Sequence, residues 1–379
     1  MNDLRLPPVA AVDGDNSALG TEIREVFSRC LTRTSGGAQL VVTRGGETIA
    51  DLAGGGIDRD TSIQLFSVSK LVVALAAAHA QESGLLDLDA PLAAYWPAFD
   101  RPSTRTITAR MVLNHSSGIC AIDYPMTRDD LLAGELNRAV ESQEPYWEPG
   151  TAHGYHAFTF GALMSGVFER ALGERLQDYA EAHIVAPSGG GFAFGATELD
   201  ERKALAPLSF DPPVLTEGQF AGFAAGLAII DGSMAPIIRN APAFFSDPLV
   251  QAADWPAMSG IGNARAIARI LNASLGHSSN RLISPTSLAE MMSEQTHGMD
   301  RTLGHISRFG SGVELPHGFL PYLGEGSFGH QGAGGSVAVA HPASGTVMVY
   351  TSTHTSSTVG GSDAAIVLMS TVRQVLALA

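Results

Sequence analysis

Lysine is almost missing from this chain. Of its 23 basic side chains only Lys70 and Lys203 are lysine; the rest are arginine. Positive charge as a whole is scarce, and the net charge is −15. That balance excludes nucleic acid, whose phosphates need basic patches, and it disfavours an anionic membrane surface. Cysteine is limited to Cys30 and Cys120, too few for a disulfide framework and without metal-ligand spacing. No apolar run reaches the roughly 20 residues of a membrane helix. Met1–Pro8 shows no basic stretch leading into an apolar core, so no secretory leader is expected and a cytoplasmic location is. Several motifs are also absent. There is no Gly-x-Ser-x-Gly elbow, no phosphate-binding Gly-x-x-x-x-Gly-Lys and no His-Glu-x-x-His. His115, His153 and His156 carry the donor type for zinc but lack that setting, so no metal and no cofactor are expected.

What is present is a protein of 379 residues, 45% hydrophobic and only 16% charged. That is enough for two domains or one large one with a sizeable core. Residues 16–33 read as an amphipathic helix. Segments 39–43 and 47–52 read as strands joined at Gly45-Gly46, a hairpin signal. From about 80 to 280 the pattern is mostly helical, with Phe158–Leu172 stopped by Gly173 and Asn263–Leu275 stopped by Gly276. The stretch 189–207 reads as a Gly-rich surface loop. Near 285 the character changes. Segments 336–340 and 346–351 read as strands, and 363–378 as a closing helix. The expectation is an α+β fold in which an antiparallel sheet is flanked by terminal helices. The sheet domain would be built from 1–78 and 281–379, with a mostly helical domain from 79–280 carrying the loops of a substrate cleft.

Against this background Ser67-Val68-Ser69-Lys70 stands out. Residues i and i+3 share a helix face, so the Lys70 amine can reach the Ser67 hydroxyl. A guanidinium keeps its proton, whereas a buried ammonium can lose it. A weak nucleophile beside a tunable base is what covalent catalysis needs. The segment Leu71–Ala78 is apolar nearly all round and belongs in a core, which is an odd place for a surface cation. Even so, Ser-x-x-Lys arises by chance, and most helical lysines are solvated. Two further segments fit the same chemistry. In Pro149-Gly150-Thr151-Ala152-His153-Gly154-Tyr155-His156-Ala157, Tyr155 follows a turn and precedes a helix, placed to present a phenol that Lys70 would help to ionise. In His330-Gln331-Gly332-Ala333-Gly334-Gly335-Ser336, glycines beside a strand permit close approach of a ligand to the backbone. Alone, the first also reads as a loop tyrosine and the second as a surface turn.

Order and spacing make the three segments specific together. They resemble the Ser-x-x-Lys, Tyr-x-Asn and Lys-Thr-Gly or His-x-Gly motifs of the penicillin-recognising serine hydrolases. Leu113-Asn114-His115-Ser116-Ser117-Gly118-Ile119 resembles that superfamily's Leu-x-His-x-Ser-Gly-Leu segment. Gly154-Tyr155-His156-Ala157 and Gly262-Asn263-Ala264-Arg265 look most like the family VIII carboxylesterases, related to class C β-lactamases. The resemblance implies a β-lactamase/transpeptidase-like fold and acyl transfer through Ser67, with Lys70 and Tyr155 handling protons. It also implies an oxyanion hole from the N–H groups of Ser67 and Ala333, and a substrate surface from His330, Gln331, Gly332 and His156. Two departures matter. Ala157 replaces the Asn that holds an antibiotic side chain, and His330 replaces the Lys that binds its carboxylate. Both point to small uncharged esters as the partners. Transfer to another acceptor, β-lactam or D-amino peptide hydrolysis, and a non-catalytic binding role remain alternatives, and the oligomeric state is open.

Overall fold

The computed structural model describes residues 10–196, 205–210, 241–355 and 362–378. Lys203, and residues 197–204 and 211–240 of the expected cleft loops, lie outside them. The strands in chain order are β1 (Val12–Asn16), β2 (Ala38–Arg44), β3 (Glu47–Gly54), β4 (Ile63–Phe66), β5 (Phe192–Phe194), β6 (Ser209–Phe210) and β7 (Gly260–Gly262). They continue with β8 (Thr296–Met299), β9 (Ile306–Phe309), β10 (Phe328–Gln331), β11 (Val337–His341), β12 (Thr346–Ser352) and β13 (His354–Thr355). Six of them form one antiparallel sheet in the order β1-β3-β2-β12-β11-β10. The two halves of the sheet thus come from opposite ends of the chain and join where β2 pairs with β12.

Alternation along the strands separates two cores. Leu40, Val42, Val337, Val339, Met348 and Tyr350 point to one face, where the helices Thr21–Leu31 and Asp363–Val375 pack. Ile23, Phe27 and Leu31, four residues apart, supply the buried stripe of the first helix. Val41, Ala338, Ala340, Val347 and Val349 point to the other face, toward the helices Ser69–Glu82 and Ala264–Leu275. The β2–β3 turn uses Gly45 and Gly46 at φ of +60° and +84°, the left-handed pair that a two-residue hairpin requires.

Three findings differ from the sequence expectation. The helix Ala264–Leu275, capped by the Asn263 side chain and ended by Gly276 at φ +79°, packs on β2, β11 and β12. A boundary at 280 would separate it from the sheet it covers. His330 and Gln331 lie on a strand, β10, rather than in the turn before one. A second small antiparallel sheet, β4-β7-β5, crosses directly behind Ser67; its strands are three or four residues long and leave almost no periodic signal.

Candidate active site

Ser67 sits at a sharp elbow between β4 and the helix Ser69–Glu82. The preceding residue, Phe66, has φ +49°, a left-handed conformation that costs a bulky residue of order 1–3 kcal/mol. Ser69 holds the elbow in place. Its hydroxyl donates to the Phe66 carbonyl and accepts from the Gly260 N–H at 2.9 Å. A Cβ on Gly260 would lie 2.4 Å from that hydroxyl, so the glycine is what lets β7 approach.

Lys70 is fully buried. Its Nζ lies 3.1 Å from Ser67 Oγ, 3.1 Å from the Ala157 carbonyl oxygen and 3.0 Å from the Ala257 carbonyl oxygen. Burial drives its pKa well below the ordinary lysine value, and no neighbouring carboxylate opposes the shift. A neutral amine has two N–H groups and one lone pair. The two carbonyls can only accept, so they take the N–H groups, and the lone pair is left facing the Ser67 hydroxyl.

Tyr155 is placed by polar contacts from a distant turn. Its N–H donates to Asp300 Oδ1 at 3.0 Å, and its carbonyl accepts from Thr302 Oγ1 at 3.0 Å. The same Asp300 oxygen also accepts from the Thr302 and Leu303 N–H groups at 2.9 and 2.8 Å. Asp300 Oδ2 takes the Ser307 hydroxyl at 3.0 Å, and Ser307 in turn bonds His153 Nε2 at 2.9 Å. Lys70 Nζ lies 4.8 Å from the Tyr155 ring centre. The phenol pKa is not lowered, as expected from the sequence, but raised. Burial is the main cause, opposed by the hydrogen bond with Ser67 and reinforced by Glu314 and Asp300. Lys70 does not lower it, because burial disfavours the charged form of the amine. Burial thus favours the neutral form of both the amine and the phenol.

His115 and His156 back this arrangement without entering the cleft. The His156 N–H donates to His115 Nδ1 at 3.1 Å, and the Gly154 N–H donates to the His115 carbonyl at 3.1 Å. His156 Nδ1 donates to the Gly154 carbonyl at 2.7 Å, so Nε2 is left to accept from Ser117 at 2.6 Å. Burial lowers the His156 pKa to about 4 and that of His115 well below the ordinary value. His156 was expected at the substrate surface. Both of its ring nitrogens are occupied and it does not line the cleft, so it shapes the Tyr155 loop instead. The segment Leu113–Gly118 is the other half of that cradle.

The cleft above Ser67 has a volume of about 250 Å³. Among the described residues, Phe66, Phe158, Phe245, Met258, Leu303 and Phe309 make its apolar walls. Tyr155, His305, Glu314, His330 and Gln331 add polar groups to the lining, with Gly332 and Ala333 beside them. A Cβ on Gly332 would lie 2.4 Å from the Leu65 carbonyl oxygen. Contact at that range requires glycine, and it brings Ala333 beside the Ser67 elbow. Neither the Ser67 nor the Ala333 N–H has an acceptor among the described residues. Burial holds the His330 pKa down at about 4; its Nδ1 donates to the Gln331 carbonyl at 2.7 Å. Among the described residues no cluster of three His, Cys, Asp or Glu side chains could hold a metal, and no helix is long and apolar enough to cross a membrane. Asp300 and Glu314 were not visible from the sequence, since neither belongs to a motif.

Comparison with known proteins gives the same picture at the level of family. The Beta-lactamase family matches residues 23–372. The esterase/beta-lactamase LipL of Mycobacterium tuberculosis is 27% identical over 273 residues, which cover 66% of this chain and 61% of LipL. The esterase EstB of Burkholderia gladioli is 29% identical over 203 residues, 46% of this chain and 51% of EstB. The aligned stretch thus spans between half and two thirds of these relatives. The structure of EstA from Arthrobacter nitroguajacolicus Rue61a superposes with a TM-score of 0.82 at 28% identity, covering 96% of this chain and 99% of EstA. A family VIII carboxylesterase superposes with a TM-score of 0.82 at 25% identity, covering 96% of this chain and all of the other. With a match that runs through nearly the whole sheet, elbow and cleft, this chain belongs to the beta-lactamase family.

Proposed function

We propose that the protein is a serine carboxylesterase that hydrolyses small esters through an acyl-Ser67 intermediate. The observation that carries this reading is the contact between the Ser67 hydroxyl and the buried Lys70 amine, whose neutral form would direct its two N–H groups to the Ala157 and Ala257 carbonyls. Ser67 Oγ attacks the ester carbonyl while its proton passes to the Lys70 lone pair. The Tyr155 phenol, hydrogen-bonded to Ser67, then donates a proton to the departing alkoxide, and Lys70 returns one to Tyr155. The free N–H groups of Ser67 and Ala333 receive the developing oxyanion. Water enters by the reverse route and releases the acid. The LipL, EstB, EstA and family VIII likenesses support an ester as the substrate, and so does the absence of a lysine at position 330.

The test is initial rates on p-nitrophenyl acetate, butyrate and octanoate beside nitrocefin, for wild type and Ser67→Ala. The expected result is turnover of the short esters that vanishes in the variant, with little cleavage of nitrocefin. Ester turnover that persists in Ser67→Ala would overturn the assignment.

A further inference from the structure

Glu314 takes no part in the acyl transfer, yet it lines the cleft while only 5% exposed. Its backbone pairs with β10, donating to the Gly329 carbonyl at 2.8 Å and accepting from the Gly329 N–H at 3.0 Å. That pairing sets its side chain beside His330 and Gln331. Its carboxylate accepts from the Tyr322 hydroxyl at 2.6 Å and from Gln331 Nε2 at 3.3 Å, and it meets His317 Nε2 at 3.1 Å. Burial opposes the charge, but the hydrogen bonds and nearby histidines hold the pKa below the ordinary glutamate value. Burial lowers the pKa of both Lys70 and His330, and among the described residues the lining holds no Lys or Arg, His305 being its other basic side chain. The field of Glu314 is felt at the reacting groups, for it raises the pKa of the Tyr155 phenol.

We propose that Glu314 sets the charge preference of the cleft, so that esters bearing an ammonium group are favoured over neutral ones and neutral ones over carboxylates. The proposal rests on the esterase reading and names its substrate class. Two further observations support it. Aromatic rings of Phe66, Phe158, Phe245, Phe309 and Tyr155 share the lining, and ring faces attract a cation. His330 Nε2 and Gln331 Oε1 are buried without a partner. Because His330 Nδ1 already donates to a carbonyl, Nε2 is a bare acceptor, as is the amide oxygen. A wall of one carboxylate and two bare acceptors presents negative potential to the cleft and so favours a positively charged ligand.

The experiment compares acetylcholine with 3,3-dimethylbutyl acetate, its carbon isostere, and with 4-acetoxybutanoate, in wild type and Glu314→Gln. A unit charge about 7 Å from a carboxylate, at an effective dielectric near 20, makes the expected kcat/KM ratio of cation to isostere roughly 50-fold. The ratio should shrink with added salt, fall toward one in Glu314→Gln, and run in the opposite sense for the anionic ester. A wild-type ratio of one or less overturns the proposal, as does a ratio that survives the substitution. If Glu314→Gln does not fold, the salt dependence of the wild-type ratio decides. Calorimetric binding of choline against 3,3-dimethylbutanol to Ser67→Ala gives the same ratio without turnover. Failure of the esterase reading looks different: no ester is hydrolysed and Ser67 is not labelled by a fluorophosphonate, whatever the binding ratio.

Discussion

Ser67 and Tyr155 face the same cleft but are held by opposite means. The Ser67 elbow is local. Serine and lysine lie three residues apart, the clamp from Ser69 comes from the same turn, and the helix that carries Lys70 is fixed by apolar packing. The Tyr155 loop has no regular structure of its own. Polar groups position it from residues 145 to 147 positions further along, with Asp300 and Thr302 gripping the N–H and the C=O of Tyr155. Packing tolerates small changes by relaxing, whereas a polar clamp fails outright when one partner is lost. The difference teaches where each half of the site is vulnerable.

The comparison breaks most severely at the local end. Ser67→Ala is expected to lower kcat/KM on p-nitrophenyl butyrate by roughly 10⁴-fold or more. Lys70→Arg should cost about 10³-fold, because a guanidinium cannot accept the Ser67 proton. Its larger charged group should also lower Tm. Retained activity with an unchanged melting curve would show that Lys70 acts only as a charge. Gly332→Ala forces its new methyl against the Leu65 carbonyl and should shift the Ala333 N–H. A loss of about 10²-fold in kcat, with KM nearly unchanged, is the expected signature of a weakened oxyanion contact.

Asp300→Ala sharpens the distant end. It removes the acceptor of the buried Thr302 N–H, at about 1–3 kcal/mol, and of the half-buried Tyr155 and Leu303 N–H groups. We expect kcat to fall by about tenfold to a hundredfold, with its pH profile displaced because Tyr155 is no longer fixed. Loss of Tm with an unchanged pH profile would make Asp300 purely structural.

The smallest effect concerns pH. The folded pKa of Lys70 lies below its unfolded value near 10.4, so the unfolded chain binds the proton that the folded chain releases. Stability should therefore rise with pH between the depressed folded value and the unfolded one. Activity should rise through the folded value and hold until Tyr155 ionises, which burial has pushed above its usual range. Denaturant midpoints and kcat/KM measured from pH 5 to 10 test both; an activity profile with no acid limb would argue against neutral Lys70 as the proton acceptor.

The same contrast explains what could be read from the chain. The elbow was legible because i, i+3 spacing and a scarcity of lysine are properties of a few adjacent letters. The hairpin at Gly45-Gly46 and the helix between Asn263 and Gly276 were legible for the same reason. β1, with the sequence Val-Asp-Gly-Asp-Asn, reads as a turn and becomes a strand only because β3 offers an edge to pair with. β10 holds Phe-Gly-His-Gln, poor in strand formers, and is fixed by β11 on one side and by Glu314 on the other. Asp300 and Glu314 could not be singled out. Nothing nearby marks an ordinary acidic residue as buried, and their partners lie on other strands and loops.

The pairing of β2 with β12 has a consequence for the birth of the molecule. About 300 residues separate Arg44 from its partner Thr346. At a ribosomal pace of roughly 5–20 residues per second, β2 and β3 emerge some 15–60 s before the strands that will complete their sheet. Throughout that interval an apolar hairpin, with Leu40 and Val42 on one side and Val41 on the other, has an open edge and no cover from the closing helix. Such an edge invites pairing with other chains. Production of this protein should accordingly respond to slower synthesis, lower temperature and added chaperone more than its folded stability would indicate.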